Sequence, residues 1–264
     1  MKRCWPAALL AACVATPHAH LGPITAATNV GERTFSCSQA GVFAGQGGDL
    51  QFVVDLGWRS FALAGRVASS RLPAMLMVGG GEPARNGKVA LLTPEGAVLV
   101  QARIADDLVY AVAMSPTAAL AMAGCADGRL VRLALPELSA TATSWRHDGP
   151  VVAVIFSADG AWLASAGYDG KISLGPADAD MPTVAIVDHT AAVTCLAWSH
   201  DHLLASGSRD GKLRLHDRTG RLLRVWQRLG GPVSAVAFAA DGKLAYGIAG
   251  GPGVADCSGV VALP

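Results

Sequence analysis

The chain has 264 residues, 52% hydrophobic and 16% charged, with a formal net charge of +1. That composition supplies a core and lies far from that of disordered chains, and so small a charge excludes the global basic field of a nucleic-acid binder. The six cysteines form no C-x-x-C and no C-x-x-C-H, which excludes zinc knuckles and covalent haem.

In chain order, the first element is a leader. "MKRCWPAALLAACVATPHAH" (residues 1–20) opens on Lys2-Arg3, continues with an apolar stretch from Trp5 to Val14 and ends in small residues, the pattern of an export signal. The apolar stretch is too short for a permanent spanning helix. Leu10-Ala11-Ala12-Cys13 resembles a bacterial lipobox, in which Cys13 would be lipidated; cleavage near Ala15 is the alternative and would discard Cys13. Either route predicts an exported, periplasmic chain, attached to a membrane only through a lipid on Cys13. His18 and His20 form an H-x-H pair, the one metal candidate, but two histidines without a third ligand fall short of a site. No cofactor is predicted.

Residues 21–264 read as one all-β domain. Its glycines, among 31 in the chain, punctuate runs rich in Val, Ala and Leu, which predicts short strands joined by tight turns. "GPITAATNV" (22–30) is β-like, with Ile24, Thr25 and Thr28. Residues 42–56 give two strands around Gly48, and residues 75–96 two strands around a turn ending Asn86-Gly87. "MSPTAALAMAGCADGRLVRL" (114–133), "LASAGYDGKISL" (163–174) and "LLASGSRDGKLRLHD" (203–217) then repeat one pattern, half repeated by "VSAVAFAADGKLAYG" (233–247). His147 and His189 are 42 residues apart, as are Asp127 and Asp169; Asp169 and Asp210 are 41 apart.

A period of about 40–45 residues with four strands per repeat is that of propeller blades. The Ser-Ala-Asp-Gly, Leu-Ala-Ser-Gly-Ser and Asp-Gly segments resemble those of WD40-repeat proteins. The resemblance implies a single β-propeller; the turns give about six four-stranded blades, seven being the alternative and the family's commonest number. It also implies that an N-terminal strand, here residues 22–30, supplies the missing outer strand of the last blade and closes the ring. Two structural hydrogen-bond chains follow from it: His147, Ser165 and Asp169, then His189, Ser206 and Asp210. The tryptophan that normally ends each chain is replaced by Gly175 and His216, and Ala105 stands where the chain around Asp127 would need its histidine. A Ser-His-Asp set suggests a hydrolase, but a catalytic triad has no reason to recur with the blade.

Cys37 reads as lying near the lower end of an inner strand and Cys257 in an upper turn, too far apart to bridge. The inner-strand starts carry Val151, Val152, Ala191, Ala192 and Val233, which predicts an unreactive channel. Function then falls on the face bearing the Asp turns. Gly79 to Asn86 is seven steps where Gly124 to Asp127 is three, and Gly247 to Gly259 is 12 where Gly207 to Gly211 is four, so two long turns emerge there. Glu82, Arg85, Tyr168 and Arg209 are the predicted partner-binding residues on that face. The function expected is a non-catalytic scaffold for another envelope or periplasmic protein, monomeric by itself. The alternatives are a subunit of a periplasmic redox or metal-handling assembly, or a propeller enzyme working at its central channel.

Overall fold

The computed structural model describes residues 24–38, 41–46, 49–70, 72–227, 229–238, 244–249, 255–256 and 260–261. The leader, with Cys13, His18 and His20, lies outside them, as does Cys257. Every regular element among the described residues is a strand.

The strands form six sheets in chain order, each an antiparallel meander. The first holds β1 (Ile24–Val30), β2 (Arg33–Ser38), β3 (Gly41–Gln46) and β4 (Asp49–Val54). The second holds β5 (Arg59–Arg66), β6 (Met75–Glu82), β7 (Asn86–Leu92) and β8 (Val98–Ala105). The third holds β9 (Val109–Met114), β10 (Leu120–Cys125), β11 (Arg129–Ala134) and β12 (Ser139–Arg146). The fourth holds β13 (Val151–Phe156), β14 (Trp162–Gly167), β15 (Ile172–Pro176) and β16 (Val184–Ile186). The fifth holds β17 (Val193–Trp198), β18 (Leu204–Ser208), β19 (Leu213–His216) and β20 (Leu222–Trp226). The sixth holds β21 (Val233–Phe238) and β22 (Leu244–Ala249), with β23 (Ala255–Asp256) and β24 (Val260–Val261) both paired to β22 as one interrupted third strand.

The first strand of each sheet faces one central channel of ≈ 310 Å³, lined from all six blades. The second and third strands are covered on both sides by neighbouring blades and read as buried runs, such as β6 and β19, whereas the outer β8 alternates. The core is divided into slabs between successive blades. Phe35 and Val42 pack with Leu76 and Val78; Met77 and Val89 pack with Val109 and Ala123; Met122 and Leu130 pack with Val154 and Leu163. Glycines at the ends of second strands permit this close approach. A Cβ on Gly124 would meet Val151 Cγ1 at 2.6 Å, and one on Gly207 would meet Val233 Cγ1 at 2.5 Å.

The expected strand exchange at the N-terminus is corrected. β1 is the inner strand of the first blade, paired with β2, not the outer strand of the sixth. A two-residue turn, Gly31-Glu32, joins them with Gly31 at φ 61°, a conformation glycine adopts at little cost. A local hairpin thus satisfies β1 before any return to a distant edge is needed. The Gly48 position consequently falls between β3 and β4, one strand later than the Asp turns of other blades. Cys37 is moved with it: it lies near the end of β2, on the face expected for Cys257 rather than the opposite one.

Candidate functional site

The upper face carries the turns between second and third strands and the loops leading into each inner strand. Its framework is built twice. In the fourth blade His147 Nδ1 lies 3.0 Å from Asp169 Oδ2, and its Nε2 lies 2.9 Å from Ser165 Oγ. Asp169 also accepts from the Asp148 and Lys171 amides, each at 3.1 Å. One carboxylate thereby ties the incoming loop to the Asp turn. In the fifth blade His189 Nδ1 lies 3.0 Å from Asp210 Oδ2 and its Nε2 2.9 Å from Ser206 Oγ. Asp210 accepts from the Thr190 and Lys212 amides at 3.2 and 3.0 Å.

The fifth blade adds a member that the sequence reading missed. Arg214 Nη1 donates to Asp210 Oδ2 at 2.9 Å, its side chain nearly buried. Strand register explains it: Arg214 sits opposite Ser206, which places it beside the His–Asp pair. Burial, with the nearby Arg214 charge, lowers the His189 pKa to about 4, so the ring is neutral at pH 7. Burial alone would raise Asp210, but its bonds to His189 and Arg214 outweigh that and bring it to about 2. His216, which takes the tryptophan's place, bonds Asp188 through Nε2 at 3.0 Å. In the fourth blade Gly175 leaves room for Trp145 of the preceding blade, whose indole N–H donates to Ala179 O at 3.1 Å. Around Asp127 the absent histidine is replaced by Arg129, whose Nε donates to the carboxylate at 2.7 Å.

These Ser–His–Asp sets have the hydrogen-bond order of a hydrolytic triad. Ser165 and Ser206 nevertheless have no exposed surface, so a substrate carbonyl cannot reach either hydroxyl. What the sets do is fix the residues beside them. Tyr168 precedes Asp169, and its amide donates to Pro150 O at 3.0 Å; Arg209 precedes Asp210, and its amide donates to Ala192 O at 2.9 Å. Both are thus held at the loops entering inner strands. The Arg209 guanidinium lies 4.9 Å from the Tyr168 ring centroid and donates to its hydroxyl at 3.2 Å. Glu82 and Arg85 occupy the same face in the second blade and pair with each other at 3.2 Å. Their turn is not a long loop. β6 and β7 stay paired to Glu82–Asn86, so the extra residues lengthen a hairpin closed by 83–85. In the last blade Ala255 and Asp256 are likewise strand; the other turn residues, 250–254 and 257–259, lie outside the described residues.

A second missed feature surrounds the channel mouth. Each inner strand shifts register just after its start, leaving one unpaired residue per blade: Thr25, Phe61, Tyr110, Val152, Thr194 and Ser234. Bulges of this kind re-aim a side chain. Of the residues expected at the channel, Val152 lines it, together with Phe61, Tyr110, Thr25 and Ser234. Phe61 and Tyr110 meet edge to face at 5.7 Å, which corrects the picture of an aliphatic mouth. Burial, Asp107 and Tyr168 together raise the Tyr110 pKa. Cys195 also faces the channel, its thiol pushed up to about 12 by burial and so unreactive. Among the described residues, no group of three or more His, Cys, Asp or Glu is placed to hold a metal.

Six radial antiparallel sheets around a channel define a β-propeller. Solved structures agree. The chain is similar to a chain in a crystal structure of the mitotic checkpoint complex, at 17% identity and TM-score 0.67, covering 87% of this chain and 76% of that one. It is equally similar to the computationally designed Ika8 protein, at 19% identity and TM-score 0.68, covering 87% and 69%. Sequence adds the kind of repeat: the WD domain, G-beta repeat, matches residues 140–174 and 182–217, so this propeller carries WD40 repeats there. Each match begins before one blade and ends in or just after its third strand, so a repeat straddles two sheets. Among curated proteins, the chain is 44% identical over 54 residues to the SIR4-interacting protein SIF2 of Saccharomyces cerevisiae, covering 20% of this chain and 10% of that protein. It is 33% identical over 63 residues to the Periodic tryptophan protein 2 homolog of Caenorhabditis elegans, covering 24% and 7%. The matches span a tenth or less of those relatives.

Proposed function

We propose that this propeller is a non-catalytic scaffold that binds a protein partner on its upper face. The observation that carries the reading is the Tyr168–Arg209 pair, an exposed aromatic and a cation joined across two blades and set on rigid turns. Pre-organised aromatic and Arg side chains are what interface hot spots are made of. The WD40 repeats support the same class of function, as does the name of a relative described as SIR4-interacting. The leader motivates a place for it: an exported, periplasmic scaffold, tethered through Cys13 or released by cleavage near Ala15.

Two measurements test these parts. Co-purification from detergent-solubilised envelope, comparing wild type with a Tyr168→Ala/Arg209→Ala variant of unchanged melting temperature, should show a partner lost only from the variant. Equal recovery with both proteins would refute the assigned face. Intact-mass spectrometry of the mature chain should show acyl mass on Cys13 if the tether exists; an unmodified N-terminus at Thr16 would remove it.

A further inference from the structure

The upper face is chemically lopsided, and the asymmetry names its ligand. Of the six bulge residues, Thr25, Thr194 and Ser234 spend their hydroxyls on backbone carbonyls: Thr25 on Ser60 O at 3.0 Å, Thr194 on Gly207 O at 3.1 Å and Ser234 on Gly247 O at 3.4 Å. The other three, Phe61, Tyr110 and Val152, belong to the second, third and fourth blades and present rings and methyls to the channel. Tyr168 and Arg209 stand at the edge of this apolar arc, in the fourth and fifth blades.

Most charges on the face are already engaged: Glu82 pairs with Arg85, Asp127 with Arg129, Asp148 with Lys171 and Asp210 with Arg214, while Asp107 accepts from the Ala84 and Leu108 amides. Arg209 bonds Tyr168 and, among the described residues, has no carboxylate within ion-pair distance. A guanidinium held over a ring and tied to its hydroxyl offers its remaining donors to a carboxylate at less entropic cost than a free side chain.

Resting on the upper-face reading above, we infer that the partner presents an extended acidic peptide. One large apolar side chain enters the channel mouth between Phe61, Tyr110 and Val152, and a neighbouring Asp or Glu carboxylate pairs with Arg209. The ≈ 310 Å³ channel, with Phe61, Tyr110 and Val152 on one side, has room for such a side chain. A basic ligand would instead meet the unpaired Arg209, and Asp107, which has no cation among the described residues, already accepts two backbone amides.

The test uses the intact protein and short synthetic peptides from a positional-scanning library, read by fluorescence anisotropy. Peptides pairing Leu or Phe with an adjacent Glu should be selected. Replacing that Glu by Gln should weaken binding about tenfold, the scale of one oriented charge-assisted contact. Arg209→Gln should erase the Glu/Gln difference, and Arg209→Lys should restore part of it; melting curves establish that both variants fold. Selection of neutral or basic peptides, or of none, overturns the inference, as does Arg209→Gln binding both peptides as wild type does. Oxidative footprinting of Tyr168 separates this from failure of the underlying reading. Protection of Tyr168 by peptides irrespective of charge sinks the acidic assignment alone. Tight binding that leaves Tyr168 unprotected sinks the upper-face assignment too.

Discussion

Arg214 Nη1 lies 2.9 Å from Asp210 Oδ2, closing a nearly buried Arg–Asp–His set in the fifth blade that has no counterpart in the fourth, where Ser173 occupies the place opposite Ser165. Two blades with the same sequence signature therefore carry different electrostatics.

Removing the acid should expose that difference. Asp169→Ala deletes a hydrogen-bond hub and should cost about 1–3 kcal/mol. Asp210→Ala also strands a buried cation and should cost about 3–5 kcal/mol. Adding Arg214→Met to Asp210→Ala should recover part of the loss. Urea unfolding of the three variants measures it, and equal losses for the two single variants would contradict the assigned role of Arg214.

The pH dependence follows from the same cluster. His189 has a folded pKa of about 4, below its ordinary 6.5, so the unfolded chain takes up its proton first. The stability that depends on neutral His189 is complete above pH 6.5 and is lost as pH falls toward 4, with a slope approaching about 1.4 kcal/mol per pH unit for one proton. Asp210, at about 2, adds a further loss below its ordinary 3.8. Denaturant unfolding across pH 4–7 should show this fall, and His189→Gln should flatten it by about one proton. An unchanged slope in that variant would place the titration elsewhere.

Blade spacing is tested at Gly124. A Cβ there would meet Val151 Cγ1 at 2.6 Å, so Gly124→Ala should cost about 1–3 kcal/mol through overpacking. Val151→Ala in the same chain removes the Cγ1 contact but keeps a Cβ at 2.9 Å, so it should return part of the loss. A double variant no more stable than the sum of its parts predicts would contradict a direct clash.

The middle of the fold was legible because its turns are marked. Asp-Gly after a buried second strand, with a histidine 21 or 22 residues upstream, locates the turns at Asp169 and Asp210. The first blade lacks such a mark, and its Gly-rich segment near Gly48 gives two equally good strand frames. Only the Gly31-Glu32 hairpin decides between them. Arg214 was missed because an arginine on an alternating strand reads as solvent-facing until cross-strand register puts it beside Ser206. Phe61 and Tyr110 were missed for a related reason. Tyr110 lies 42 residues before Val152, so the repeat itself placed it at the channel, but the bulge that turns both aromatics inward leaves no sequence signal.

The central claim, a partner held on the upper face, is tested most directly by site-specific photo-crosslinking in living cells. The cross-linker replaces Tyr168, or Met181 as a control; Met181 is 62% exposed and lies in the turn between β15 and β16, on the opposite face. A discrete adduct from position 168 that is absent from position 181, and that disappears when Arg209→Gln is added, is the predicted result. An adduct from position 181 with none from 168 would contradict the account.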